Sequence, residues 1–157
     1  SGGQSLLQQL LGVTRQARQR VALIDSHDSF DPCSYPEDEL VHLLWVRCSS
    51  TAVALQAADL LARDANLALV VLDLRCAVDA EFRRIPGPQW YRLQRAVEST
   101  DLALVVKTPR PAVPSAQVRF ALGAAPTLTD LTRERPELGG TLTATLQRQR
   151  LSTSAAG

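Results

Sequence analysis

The chain contains no methionine among its 157 residues. That absence predicts a start other than a natural initiator, truncated within the region of the first motif described below, and leaves open whether Ser1 and Gly2 belong to the natural protein. Histidine is scarce as well, with only His27 and His42, and the three cysteines, Cys33, Cys48 and Cys76, form no Cys-x-x-Cys. A metal site needs closely spaced ligands, so none is expected, and the cysteines are expected to be buried thiols. No apolar run approaches the length needed to cross a bilayer, and the first residues lack the basic, apolar and small-residue succession of a signal peptide. A cytoplasmic location with no membrane contact is expected. Charge of one sign is missing too: 17 Lys+Arg against 16 Asp+Glu leave a net +1. No whole-molecule field draws such a protein onto nucleic acid or anionic lipid, so any such binding must be local.

What is present reads as a folding chain. Hydrophobic residues at 45% and charged residues at 21% are ordinary for a globular protein. The length suits a single domain, expected over residues 1–150, with 151–157 as a loose tail. Leu6, Leu7, Leu10 and Leu11 recur at helical spacing and predict an amphipathic helix over 5–18. Residues 21–25 are an apolar run closing on Asp25, as a buried parallel strand does, and 26–39 form a polar loop. Residues 43–46 predict a second buried strand. Ser49, Ser50 or Thr51 can cap the helix that follows, which carries Val53, Ala57, Leu60 and Leu61. Residues 67–74 are the clearest strand, again ending on a carboxylate at Asp73. After the break at Pro86-Gly87-Pro88, a helix places Trp90, Leu93 and Val97 on one face, and residues 102–106 give another strand.

Strands alternating with helices argue for a mostly parallel sheet flanked by helices. The end of the chain changes pattern. Residues 117–122 and 141–149 alternate apolar and polar side chains, which predicts an antiparallel strand pair joined by a Pro-, Gly- and Thr-rich loop at 123–140.

The motifs that bear on chemistry lie along this frame. Gly2-Gly3-Gln4-Ser5 opens the first helix in the manner of the tail of a phosphate-binding loop, with Gln4 where a lysine would neutralise the transferring phosphate. Leu23-Ile24-Asp25-Ser26-His27-Asp28-Ser29-Phe30-Asp31-Pro32 resembles the second core strand of RecA recombinases, apolar-Ile-Asp-x-Glu-x-x-x-Asp-Pro, and Asp25, Asp31 and Pro32 match in place. The resemblance runs on to Leu69-Val70-Val71-Leu72-Asp73, where Asp73 occupies the position whose carboxylate reaches magnesium in that family. The resemblance covers residues 3–122 in order and implies a RecA-like fold.

The same comparison implies a lost activity. The family's water-activating Glu is replaced by His27, which reads as a hydrogen-bonded loop residue, and its γ-phosphate-sensing Asn-Gln pair by Lys107-Thr108-Pro109-Arg110. Of the catalytic set only Ser5 and Asp73 match. Gly3, Gln4, Ser5 and Asp73 therefore form a degenerate nucleotide site: no catalysis and no cofactor are expected, though backbone amides could still hold ATP with magnesium. A central strand upstream of the phosphate loop is also implied, and if it is missing something else must cover the gap.

Leu43-Leu44-Trp45-Val46-Arg47 and Tyr91-Arg92-Leu93-Gln94-Arg95-Ala96-Val97-Glu98 are similar to ImuA, and more distantly to SulA, two degenerate branches without a working ATPase. Similarity to ImuA implies a scaffold in bacterial mutagenic repair, within the SOS response and translesion synthesis, with RecA, an ImuB-like protein and polymerase subunits as partners. Similarity to SulA implies instead a division inhibitor that binds FtsZ, and a third reading is a RecA paralogue that binds nucleotide without hydrolysing it. Arg83, Arg84, Tyr91, Arg92 and Arg95 cluster where RecA carries its first DNA-binding loop. They are candidates for contact with a protein or, by charge and stacking, weakly with single-stranded DNA; a solvated basic helix face is the plainer alternative.

Overall fold

Residues 21–24 and 69–72 are apolar without interruption, and every one of them is buried. Only a strand covered on both faces tolerates such a run, and both sit inside a parallel sheet. The computed structural model describes residues 2–123 and 143–150. In chain order the elements are α1 (Gly2–Gln16), β1 (Arg20–Asp25), a 3₁₀ turn (Pro32–Ser34), α2 (Glu37–Leu40), β2 (Leu43–Arg47), α3 (Thr51–Leu61) and β3 (Leu67–Asp73). They continue with α4 (Asp79–Arg84), α5 (Gly87–Glu98), β4 (Ala103–Lys107), β5 (Val118–Gly123) and β6 (Thr143–Gln149).

Two compact units result, Leu10–Ser115 and a second that takes Ser1–Gln9 together with Ala116–Gly157. The first holds an all-parallel sheet in the order β2-β1-β3-β4. Each neighbouring pair is hydrogen-bonded, so no gap for a further member is left inside the four strands. Alternation along each strand divides the buried residues between two faces. Ala22, Ile24, Val70 and Leu72 share one core with Ala54, Leu55 and Ala58 of α3 and with Trp90 and Leu93 of α5. Val21, Leu23, Leu69 and Val71 lie on the opposite side and are buried as well. The end of α1 is tied to the approach to β2: the Thr14 hydroxyl lies 3.0 Å from His42 Nε2, and Arg15 pairs with Asp38.

Local signals explain the helix ends. Ser50 caps α3, its hydroxyl accepting from the Val53 amide at 3.3 Å, and Pro88 sits in the first turn of α5, where its missing N–H costs nothing. Asp31 caps the 3₁₀ turn by accepting from the Cys33 amide at 3.1 Å.

Several elements differ from the sequence expectation. The first helix starts at Gly2, before the expected residue 5, and the polar loop contains the 3₁₀ turn and α2. Helix α4 was not expected, because six residues are too few to show a helical period. Among the cysteines only Cys48 is buried, whereas Cys33 and Cys76 are exposed. The second unit contains the expected antiparallel pair, β5 with β6, in a register that sets Phe120 against Leu146. The expected loop beyond Gly123 and the tail at 151–157 lie outside the described residues.

Candidate functional site

In an open parallel sheet the natural ligand site is the crevice at the carboxyl ends of the strands, where successive connections diverge to opposite sides. Here the chain leaves β1 for β2 on one side and returns to β3 on the other, so that point lies between Asp25 and Asp73. Strand register completes the last rung across the sheet as Arg47, Asp25, Asp73, Lys107. Two carboxylates occupy the centre of that rung, each flanked by a cation.

Neither carboxylate is free. Asp25 accepts from the Phe30 amide at 2.7 Å and from the Ser29 hydroxyl at 3.2 Å, and so shapes the loop that follows β1. Asp73 accepts from Lys107 Nζ at 2.8 Å and from Arg75 Nε at 2.9 Å, while the Arg75 backbone amide donates at 3.1 Å. Both members of the Asp73–Lys107 pair are buried, with side-chain exposures of 5% and 4%. Burial pushes the Asp73 carboxyl upward, but hydrogen bonds and charge from Arg75 and Lys107 outweigh it and hold the group below its usual range. For Lys107, burial dominates and pulls the ammonium below its ordinary value, with Asp73 opposing.

A polar chain extends from this centre. The Ser26 hydroxyl donates to the Asp73 carbonyl at 2.8 Å and lies 2.7 Å from His27 Nδ1. On its other side His27 Nε2 is 3.2 Å from Glu81 Oε2. Glu81 also accepts from the Thr51 hydroxyl at 2.9 Å and from the Val78 amide at 3.0 Å. Burial raises the Glu81 carboxyl, but the donors at Val78 and Thr51 and the charge of His27 outweigh it and lower it overall. The start of α3, a natural anion seat, is thereby supplied with a carboxylate from within the chain.

The residues singled out from sequence are distributed as follows. Gly3, Gln4 and Ser5 are helical residues at the start of α1, in the other compact unit from Asp73. His27 is hydrogen-bonded in the loop after β1, as expected. Trp90 is buried in the core, whereas Arg83, Arg84, Tyr91, Arg92 and Arg95 are all exposed on α4 and α5. Arg92 Nε reaches Asp59 of α3 at 3.1 Å. Sequence reading missed Arg75, Ser26 and Glu81, and it registered Lys107 only as a replacement in the sensing pair. The available signal for Lys107 was a lysine continuing the apolar run Leu104-Val105-Val106 at a strand end.

No cluster of metal-ligating side chains occurs among the described residues, and no helix among them is long and apolar enough to cross a membrane. No family model and no curated protein matches the chain.

Proposed function

We propose that this chain is a non-catalytic RecA-like protein that acts as a protein-interaction scaffold in bacterial DNA repair, the SOS response and translesion synthesis, in the manner of ImuA. One observation carries the reading: the Asp73 carboxylate is bound by Lys107 Nζ at 2.8 Å and by the Arg75 guanidinium at 2.9 Å. A RecA-type ATPase needs that carboxylate to reach a magnesium ion, and two positive groups beside it, a buried lysine and a half-buried arginine, repel a divalent cation. Gln4 stands in place of the phosphate-loop lysine, and His27, in place of the water-activating Glu, is engaged by Ser26 and Glu81. The cytoplasm, where RecA and the repair polymerases act, belongs to the same proposal.

Binding to purified RecA, to an ImuB-like protein and to FtsZ, each passed over the immobilised chain, tests it. Saturable capture of RecA or the ImuB-like protein is the expected result. Capture of FtsZ alone would move the chain to the SulA-like class, and capture of none of the three would overturn the scaffold reading.

A further inference from the structure

The outer faces of α3 and α5 are what the interior chemistry leaves unused. On α3, Val53, Gln56 and Leu60 recur at helical spacing and are all exposed, Leu60 by 74% and Val53 by 42%, and Arg63 in the turn that follows is exposed as well. Alongside, α5 exposes Tyr91, Arg92 and Arg95. The two helices are joined by the Arg92–Asp59 pair, and beside it a mainly apolar cleft of about 310 Å³ opens between Leu55 of α3 and Ile85 and Gln89, with Arg84 on its rim. The cleft lies near the start of α3, and the exposed Val53, Leu60 and Tyr91 stand on the two helices outside it.

Its charge is mainly that of arginines. Of the carboxylates of α3, α4 and α5, Asp59 is paired with Arg63 and Arg92 and Asp79 with Arg110, whereas Glu81, on the cleft wall, holds His27, the Thr51 hydroxyl and the Val78 amide, and Glu98 accepts from the neutral Gln94 amide and keeps its charge. Arg83, Arg84 and Arg95 are exposed and have no carboxylate partner among the described residues. A second copy of the chain docked here by two-fold symmetry would set these arginines against themselves, which is unfavourable. Nucleic acid would leave Leu60 and Val53 facing a phosphate backbone.

We propose that the α3–α5 face is a docking groove for an acidic amphipathic helix of a partner protein. Its apolar side chains enter the cleft and lie against Leu60 and Tyr91, and its carboxylates meet Arg84 and Arg95. An amphipathic helix laid in a groove is a common mode of recognition, and Arg and Tyr are the side chains that interfaces favour. The inference rests on the scaffold reading and names the surface through which such a scaffold takes hold of a partner.

The test uses the full chain and three fluorescent probes: a synthetic amphipathic helix with leucines on one face and glutamates on the other, the same peptide with lysine for each glutamate, and oligothymidylate. The Glu peptide is expected to bind saturably and more tightly than the Lys peptide, with amide shifts confined to α3, α4 and α5. The double variant Arg84→Glu with Arg95→Glu should weaken it by at least about tenfold, and Leu60→Ser should weaken it without altering the circular dichroism spectrum. The assignment is overturned by no saturable binding of the Glu peptide, by equal binding of the Lys peptide, or by a Glu-peptide affinity unchanged in the double variant. Oligothymidylate binding that the double variant abolishes would make the face a nucleic-acid surface, and that too overturns it. Failure here with the three-protein capture still positive sinks the groove alone; failure of both sinks the scaffold reading.

Discussion

Removing the carboxylate at Asp73 leaves a lysine with 4% side-chain exposure without its hydrogen-bonded anion. Breaking a buried ion pair by deleting one partner costs about 3–5 kcal/mol, because the remaining charge is desolvated and uncompensated. Asp73→Asn is therefore expected to lower the unfolding free energy by about that amount. Lys107→Met is milder, at about 1–2 kcal/mol, since Asp73 keeps Arg75 at 2.9 Å and the methionine fills most of the lysine's volume. In the double variant the orphaned charge is gone, and Arg75, whose side chain is 25% exposed, can turn to water. Its total loss should fall short of the summed single losses by about 2 kcal/mol. Urea unfolding of the four proteins, followed by circular dichroism, reads this directly. Single losses that add to within about 0.5 kcal/mol would show that Asp73 and Lys107 do not act as a pair, and the account of the site would fail.

Other consequences are smaller. The Asp73 carboxyl is held below its ordinary value of 3.8, so its stabilisation is complete above that pH and drains away as pH falls through the depressed value. Acid unfolding of the wild-type chain should accordingly be steeper below that point than that of Asp73→Asn, and parallel acid limbs would count against it. Ser50→Ala, which removes the acceptor for the Val53 amide at the start of α3, should cost about 1 kcal/mol in urea unfolding; no change would mean the cap is idle. Gly12 lies inside α1 where an added Cβ meets nothing within 4 Å, so Gly12→Ala should raise stability by about 0.5–1 kcal/mol, and a loss would refute the open space.

Much of the fold was legible because buried parallel strands announce themselves as unbroken apolar runs, as at residues 21–24 and 69–72. Ser50 and Pro88 likewise marked helix starts by chemistry local to their own positions. The candidate site was legible only in half. Asp25 and Asp73 stand out as carboxylates closing strands, but their meaning depends on partners set by register. Lys107 faces Asp73 only because β3 and β4 pair directly over a separation of 34 residues, and single-sequence periodicity carries no register between distant strands. Glu81 escaped for a different reason: its partners Thr51, His27 and Val78 come from three separate loops and helix ends. Cys33 and Cys76 were misplaced because exposure at a loop depends on what packs over it, which spacing does not encode.

On the proposed RecA-like reading, Lys107 and Arg75 hold Asp73 in the place where an active ATPase of that kind would hold magnesium. Calorimetric titration of the purified chain with ATP and magnesium, run beside an assay for released phosphate, tests it most directly. The account predicts no phosphate release and no saturable heat that depends on magnesium. Turnover that disappears in Asp73→Asn would contradict it, because the carboxylate would then be serving a metal rather than its two internal cations.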